Sequence, residues 1–248
     1  MLIPRTHPRA LSLQIREKLV HGYKSGLVAK EGLMAHGRGE TFDYLIGEKT
    51  SKNSLKAIKV AAMTLVLARS PVISVNGNFA ALCPKEIVLL AKTINARIEV
   101  NLFYFNEKRK KNIAKVLKKY GAKEILGLDS KFSRTIPKLD SARRVVDKRG
   151  IFSADVVLVP LEDGDRTIAL KKFRKKVIIF DLNPLSRTAQ TADITIVDNV
   201  TRGMKLLIDF CKRFKKKKLA KMPKFDNKKN LAESILLVKK NLSRMAYA

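Results

Sequence analysis

From residue 71 onward the chain alternates short, apolar, β-branched runs with longer segments of 3.6-residue period, and no other feature restricts the fold as much. The runs are 71–75, 97–103, 124–128, 154–159, 176–180 and 193–197. Near-continuous apolar character is what parallel strands covered on both faces require, because neither side of such a strand meets water. Between the runs lie helix-like stretches at 84–95, 106–120, 165–174 and 201–214. Strand–helix alternation of this kind implies right-handed crossovers and an α/β fold with a doubly wound, mostly parallel sheet of about six strands.

The flanks read differently. Residues 1–70 form an N-terminal helical segment packed on the core, 71–214 the α/β core, and 215–248 a basic linker with a C-terminal helix, all within one structural domain. Leu11, Ile15, Leu19 and Tyr23 repeat at helical spacing, and Gly26 would end that helix. Ala57, Ala61, Leu65 and Ala68 give a second helix a small-residue face suited to close packing. The stretch 215–230 is basic and Pro-interrupted, as an exposed linker would be, and 231–245 is amphipathic. There is no internal repeat.

Composition removes several function classes. At 248 residues, 46% apolar and 30% charged, the chain can bury a sizeable core and is not a disordered sequence. No run approaches the roughly 20 apolar residues of a membrane span. The N-terminal residues have no apolar signal region, two cysteines make no disulfide framework, and three scattered histidines make no zinc site. A cytoplasmic protein is expected. The net charge of +30 is uneven: +10 over 101–150, +12 over 201–248, and zero over 151–200, where seven acids balance seven bases. Such a field attracts anions, including nucleic acid, nucleotides and phosphorylated metabolites. Charge alone would suit a nucleic-acid binder, and fold alone an NAD-dependent oxidoreductase. The Lys215–Lys218 run reads instead as a solvated face, because aromatics are only 6% and none interleaves with the basic clusters as a stacking platform.

Neither the P-loop pattern nor G-x-G-x-x-G after a strand is present. Ligands of open α/β sheets nevertheless sit beyond the carboxyl ends of the strands, so those loops carry the candidates. After the first strand comes Asn76-Gly77-Asn78, a turn into a helix that either presents amides to an anion or is an ordinary strand-to-helix turn. After the fourth comes 160–167, with Glu162, Asp163 and Asp165 able to hold Mg²⁺ or an amine, and Arg166 able to pair with a phosphate or carboxylate. One of those acids serves equally well as a helix cap. After the fifth comes Asp181-Leu182-Asn183, followed by Arg187-Thr188. An acid there can accept from ribose hydroxyls and an arginine can fork onto phosphate. Asn199 follows the last strand, where its amide could read a base edge. Upstream, Gly37 and Gly39 flank Arg38, leaving its guanidinium free for a ligand, and His36 and Glu40 could carry protons.

Together these segments resemble a known family. HPR at 7–9, REK at 16–18, GLMAHGRGETFDYLIGEKT at 32–50, SVNGN at 74–78, VPLEDGDRT at 159–167 and DLNPLSRTAQTADITIVDN at 181–199 are similar to the archaeal phosphopantothenate synthetases, also called 4-phosphopantoate–β-alanine ligases. The resemblance runs in order to about residue 210, and is loose over 106–149 and after 214. It implies a Rossmann-like core, a homodimer, and an ATP-dependent ligase of coenzyme A biosynthesis. Such an enzyme joins 4-phosphopantoate to β-alanine, giving 4′-phosphopantothenate, AMP and diphosphate. It also implies ATP contacts at Arg16, Arg38, Asp181, Leu182, Asn183, Arg187, Thr188, Asn199 and Val200.

That reaction needs Mg²⁺ with the ATP, charge neutralisation by Arg16, Arg38 and Arg187, and a proton acceptor among His36, Glu40, Asp163 and Asp165. Asn76, Gly77, Asn78 and Arg166 are the expected contacts of the second anion.

Overall fold

The computed structural model of the chain describes residues 3–4, 6–160, 163–217, 221–222 and 224–247. Leu161 and Glu162, in the stretch 160–167, and Lys218, in the lysine run, lie outside the described residues. Three helices come first: α1 (Ala10–Lys24), α2 (Lys30–Ile46) and α3 (Lys52–Leu67). The core then runs β1 (Pro71–Val75), α4 (Gly77–Leu82), α5 (Pro84–Ile94), β2 (Arg97–Val100) and α6 (Glu107–Lys119). A short antiparallel ladder of β3 (Ser133–Thr135) and β4 (Val145–Asp147) follows. The core is completed by β5 (Val156–Pro160), α7 (Gly164–Lys172), β6 (Lys176–Phe180), α8 (Arg187–Thr191), β7 (Ile194–Ile196) and α9 (Val200–Lys215). The last helix is α10 (Asn227–Ala246).

Five strands form a parallel sheet in the order β2-β1-β5-β6-β7. Every residue of β1 and β5 is buried. Ile73, Val75, Leu158, Ile178 and Phe180 pack toward the core that holds α3, α5 and α9, while Val72, Val157, Val159, Val177 and Ile179 pack toward α7 and α8. Each such side chain contributes roughly 1.5–3 kcal/mol on burial. The mostly parallel, doubly covered sheet expected from the alternation is therefore present.

One expected strand is not. Segment 124–128 makes a single parallel bridge, Leu126 to Glu99, with Val100 N donating to Leu126 O (3.0 Å) and Leu126 N to Ile98 O (2.8 Å). It stands where a sixth strand would lie, but Gly127 follows at φ +83°, where an added Cβ would stand 2.5 Å from the Val100 carbonyl oxygen, and extended pairing stops there.

The flanking helices correct two further expectations. On α1 the buried face is Ser12, Ile15, Leu19 and Gly22, so Leu11 and Tyr23 stay exposed. The stripe is rotated because α1 packs closely on α4 at Gly22, where a Cβ would stand 2.8 Å from that of Ala81. The stretch 227–230, expected in the linker, is the first turn of α10, capped by Asp226 onto Lys229 N (2.9 Å). Asn227 accepts from Thr195 N (2.9 Å) and donates to Ala189 O (2.9 Å), which covers the outer edge of β7 with side-chain hydrogen bonds. Cys83 and Cys211 are free and buried.

α9 crosses the sheet at Gly203, where an added Cβ would overlap the buried ring of Phe180. Gly203→Ala gains about 1 kcal/mol of helix propensity but overpacks the core by about 1–3 kcal/mol. The variant is expected to melt several degrees below the parent in a thermal scan, and an equal or higher Tm would contradict this packing.

Candidate active site at the sheet reversal

Sequential strand order reverses between β1 and β5, since β2 lies on one side of β1 and all later strands of the sheet lie on the other. Crossovers leaving β1 and β5 diverge, opening a crevice beyond their carboxyl ends. A cleft of about 1000 Å³ occupies that place. Its floor is Asn76, Gly77 and Asn78 after β1. One wall is Leu102, Phe103 and Tyr104 after β2, joined by Arg109 and Arg143. Asp163, Asp181, Asn183 and Ser186 line it from the ends of β5 and β6, and α2 covers it with Arg38, Thr41 and Phe42.

The floor is held by its own side chains. Asn76 Oδ1 accepts from Phe79 N (3.0 Å), capping α4, and its Nδ2 donates to Pro160 O (3.0 Å). Asn78 Nδ2 donates to Gly32 O (2.8 Å). Gly77 is required because a Cβ would overlap the Leu27 carbonyl in the α1–α2 connection. The turn thus fastens α2 over the sheet ends.

The two described acids after β5, Asp163 and Asp165, are both engaged. Asp163 caps α7, accepting from Arg166 N (2.8 Å), and its other oxygen lies 3.6 Å from Arg143. Asp165 pairs with Arg187 at 2.6 Å on the surface. The Arg166 guanidinium is wholly buried behind the cleft and donates to Ser74 Oγ (3.2 Å), so it touches no cleft surface. Burial lowers its pKa to about 10 against the pull of Glu99 and Asp163.

At the end of β6, Asp181 accepts from Asn183 N (2.9 Å) and from Ser186 Oγ. Burial raises its pKa, with Ser186, Asn183 and Arg38 opposing. Leu182, Asn199 and Val200 lie apart from the cleft in a small recess with His36 and Asp198, and Gly39 of α2 borders both spaces. The Asn199 side chain is occupied: Oδ1 accepts from Thr201 N (3.0 Å), capping α9, and Nδ2 donates to Asp43 (2.9 Å). Arg202 spans Asp43 (2.6 Å) and Asp198 (2.7 Å), so the C-terminal part of α2 is tied to the end of β7. His36 is pushed below its ordinary pKa, chiefly by burial, and Arg16 pairs with Glu40 at 2.8 Å. Thr188 is buried.

The structure therefore brings Arg38, Asn76, Gly77, Asn78, Asp163, Asp181 and Asn183 to one cleft. It sets His36, Leu182, Asn199 and Val200 in the adjoining recess. Arg16, Asp165 and Arg187 stand at the surface, and Arg166 and Thr188 inside the fold. Among the described residues no trio of His, Cys, Asp or Glu is grouped to hold a metal ion, and no helix is long and apolar enough to cross a membrane.

Residues 53–241 match the family model described as phosphopantothenate/pantothenate synthetase. The chain belongs to this family. Curated relatives named 4-phosphopantoate–β-alanine ligase include that of Thermococcus kodakarensis, 49% identical over 98% of this chain and 95% of its own length. That of Methanosarcina mazei is 48% identical over 98% and 97%, and that of Methanospirillum hungatei 51% over 85% of each chain. Family membership thus rests on nearly the whole chain, including 106–149, where the motif resemblance was loose.

Four cleft and near-cleft residues escaped the sequence reading: Arg109, Arg143, Tyr104 and Glu99. They lie in or beside a Lys-rich stretch where single functional cations do not stand out. The legible signal was Glu99, an acid inside the apolar run 97–103. Its buried carboxylate accepts from Asp147 N (3.1 Å) and Ile151 N (2.6 Å). Burial nevertheless pushes its pKa up to about 7. The folded state therefore holds this proton more tightly than the unfolded chain. The stabilisation is present below the ordinary glutamate range and is lost as pH rises through about 7. In Glu99→Gln one backbone amide loses its acceptor, so the variant is less stable where Glu99 is protonated. The gap between parent and variant, read from urea unfolding at pH 5 and pH 8, is expected to narrow at the higher pH; a gap that widens would reverse the assignment.

Proposed function

We infer that this chain is an ATP-dependent 4-phosphopantoate–β-alanine ligase of coenzyme A biosynthesis, cytoplasmic and homodimeric. The observation that carries the reading is near full-length identity of about 49% to relatives bearing that name. A reversal-point cleft with Arg38, Asp181 and Asn183 on its wall supports it. Outward apolar residues of α10, Leu236, Leu242 and Met245, offer surface for a second copy.

A carboxylate does not accept an amine directly, because oxide is too poor a leaving group. In the proposed route a phosphopantoate carboxylate oxygen attacks the α-phosphorus of ATP. The bond to the bridging oxygen breaks, and diphosphate leaves with that electron pair. The neutral amine of β-alanine then attacks the acyl carbon, AMP departs, and the amine proton passes to a base. Arg38 on the cleft wall offsets the charge of the transferring phosphate, and Arg16 and Arg187, which stand at the surface, are the further cations that the family resemblance implies for it.

Of the four proton acceptors expected from sequence, Asp163 lines the cleft, whereas Asp165 is paired with Arg187, Glu40 with Arg16, and His36 faces the recess. Asp163 is the assignment these positions support. Mg²⁺ would enter with ATP and offset phosphate charge, and Asp163 and Asp165 are the acids beside the site that would help to hold it. The net charge of +30 speeds the approach of both polyanions.

Purified protein with Mg²⁺, ATP, 4-phosphopantoate and β-alanine is expected to form AMP and 4′-phosphopantothenate one for one, only with both substrates present. Product accompanied by ADP would replace the adenylate with an acyl phosphate, and no product from protein that binds ATP would overturn the ligase. Chelation of the metal should stop turnover. Arg187→Ala is expected to raise KM for ATP at least tenfold, by loss of a charged hydrogen bond. Unchanged ATP affinity and turnover would remove Arg187 from the nucleotide site.

A further inference from the structure

Helix α2 roofs the cleft with Met34, Ala35, Arg38, Gly39, Thr41 and Phe42, yet its own composition works against it. Three glycines lie inside it, at 32, 37 and 39, and after proline no residue suits a helix interior less. Gly32 has a structural reason, because an added Cβ would overlap Asn78 Oδ1. Gly37 and Gly39 have none. A Cβ on Gly37 would meet nothing within 4 Å, and one on Gly39 would make an ordinary contact of 3.7 Å with Leu182. Neither residue has a positive φ, so alanine fits at both.

The rest of the helix compensates little. Its N-cap, Ala29, makes no side-chain cap hydrogen bond, and its buried residues, Asp43 and Ile46, stand toward its C-terminal end. The Thr41 hydroxyl donates back to the Gly37 carbonyl (3.2 Å), a bond that bends helices rather than stiffening them. His36 Nε2 is buried with no hydrogen-bond partner among the described residues, so the wound helix also carries an unsatisfied polar atom. Both ends, by contrast, are fixed. Gly32 O accepts from Asn78 Nδ2 (2.8 Å), Asp43 is held by Arg202 and Asn199, and Leu45 O accepts from Asn241 Nδ2 (2.8 Å). Between them Glu40 pairs with Arg16 of α1 (2.8 Å), whose side chain is half-exposed, and such surface pairs hold little.

A weak span between two anchors opens locally and leaves the remaining fold intact. We propose that residues 36–41 of α2 are a lid that unwinds at Gly37 and Gly39 and rewinds over the cleft, carrying Arg38 away from it and back. The purpose of the lid rests on the ligase reading above. An acyl adenylate within reach of water would be hydrolysed and its ATP wasted, so the roof closes during the reaction and opens for diphosphate, AMP and product to leave. Gly37 borders no part of the cleft and acts only as a hinge.

The test is Gly37→Ala, whose added methyl meets no other group and so changes the helix alone. Hydrogen exchange, read by mass spectrometry on peptides of α2 and α3, follows the opening without any need for turnover. In the parent, amides of 36–42 are expected to exchange roughly 100-fold faster than those in the middle of α3, and to slow when ATP and Mg²⁺ are added. Gly37→Ala is expected to raise Tm by about 2–4 °C, to slow exchange over 36–42 about fivefold, and to lower kcat for ligation about fivefold with little change in KM. Exchange in α2 as slow as in α3 would mean a rigid roof and overturn the proposal. So would slowed exchange in the variant with kcat at or above the parent value. A raised KM alone would mean that Gly37 is kept bare for a bound ligand, and a lowered Tm that it serves packing; either result overturns the hinge. Parent protein that forms no ligation product, yet opens α2 and closes it on ATP, would sink the ligase reading and leave the lid standing.

Discussion

Strands β1, β5 and β6 have no side that can face water, and the parallel sheet they build must be covered above and below. With both faces sealed, polar groups emerge at the strand ends. The amino ends receive tight connections, such as Asp155 accepting from Arg69 N (2.7 Å) and Ser70 N (2.9 Å). At the carboxyl ends, crossovers diverge about β1 and β5 and leave a space that side chains line without filling. The cleft is located by this geometric consequence of hydrophobic burial, before any particular ligand is considered.

Polar anchors then give the space its shape. One set, Asp43, Arg202, Asp198 and Asn199, ties α2 to the end of β7. A second, Glu99 and Asn101, straps the β3–β4 ladder across the end of β2. A third, Asn227 and Asn230, seats α10 on the edge strand, with Asn230 donating to Thr195 O (2.9 Å). Each anchor is buried or half-buried and hydrogen-bonded, as a stable interior requires. Their common effect is directional: apolar packing alone would let a covering helix slide, whereas paired carboxylates, amides and guanidinium groups define one register.

Legibility in the sequence followed the range of the interaction. β1 and β6 were located to the residue, because local apolar runs bounded by turn residues carry that information. The segment 124–128 carried the same local pattern, yet it makes one bridge, because the approach of Gly127 to Val100 is a contact between distant parts of the chain. On α1 the periodicity was correct but its phase was not, since the closeness allowed by Gly22 depends on Ala81. The motif residues divided likewise. Asp163, Asp181 and Asn183 reached the cleft, but Arg166 turned inward to Ser74, and the Asn199 amide went to Asp43.

The sequence by itself determined the class of fold, the gathering of polar residues at the strand ends, and the family, since each is written in local patterns or in long ordered motifs. Only tertiary structure decided which charged groups meet. Arg109 and Arg143 sit 34 residues apart within a crowd of lysines, and nothing local marks them. The cleft wall they share exists because β2 ends beside the β1–β5 reversal and two buried side chains, Glu99 and Asn101, hold a distant turn against it. Burial, not sequence spacing, distinguishes the Arg143 guanidinium and the Arg109 Nε from the solvated cations around them.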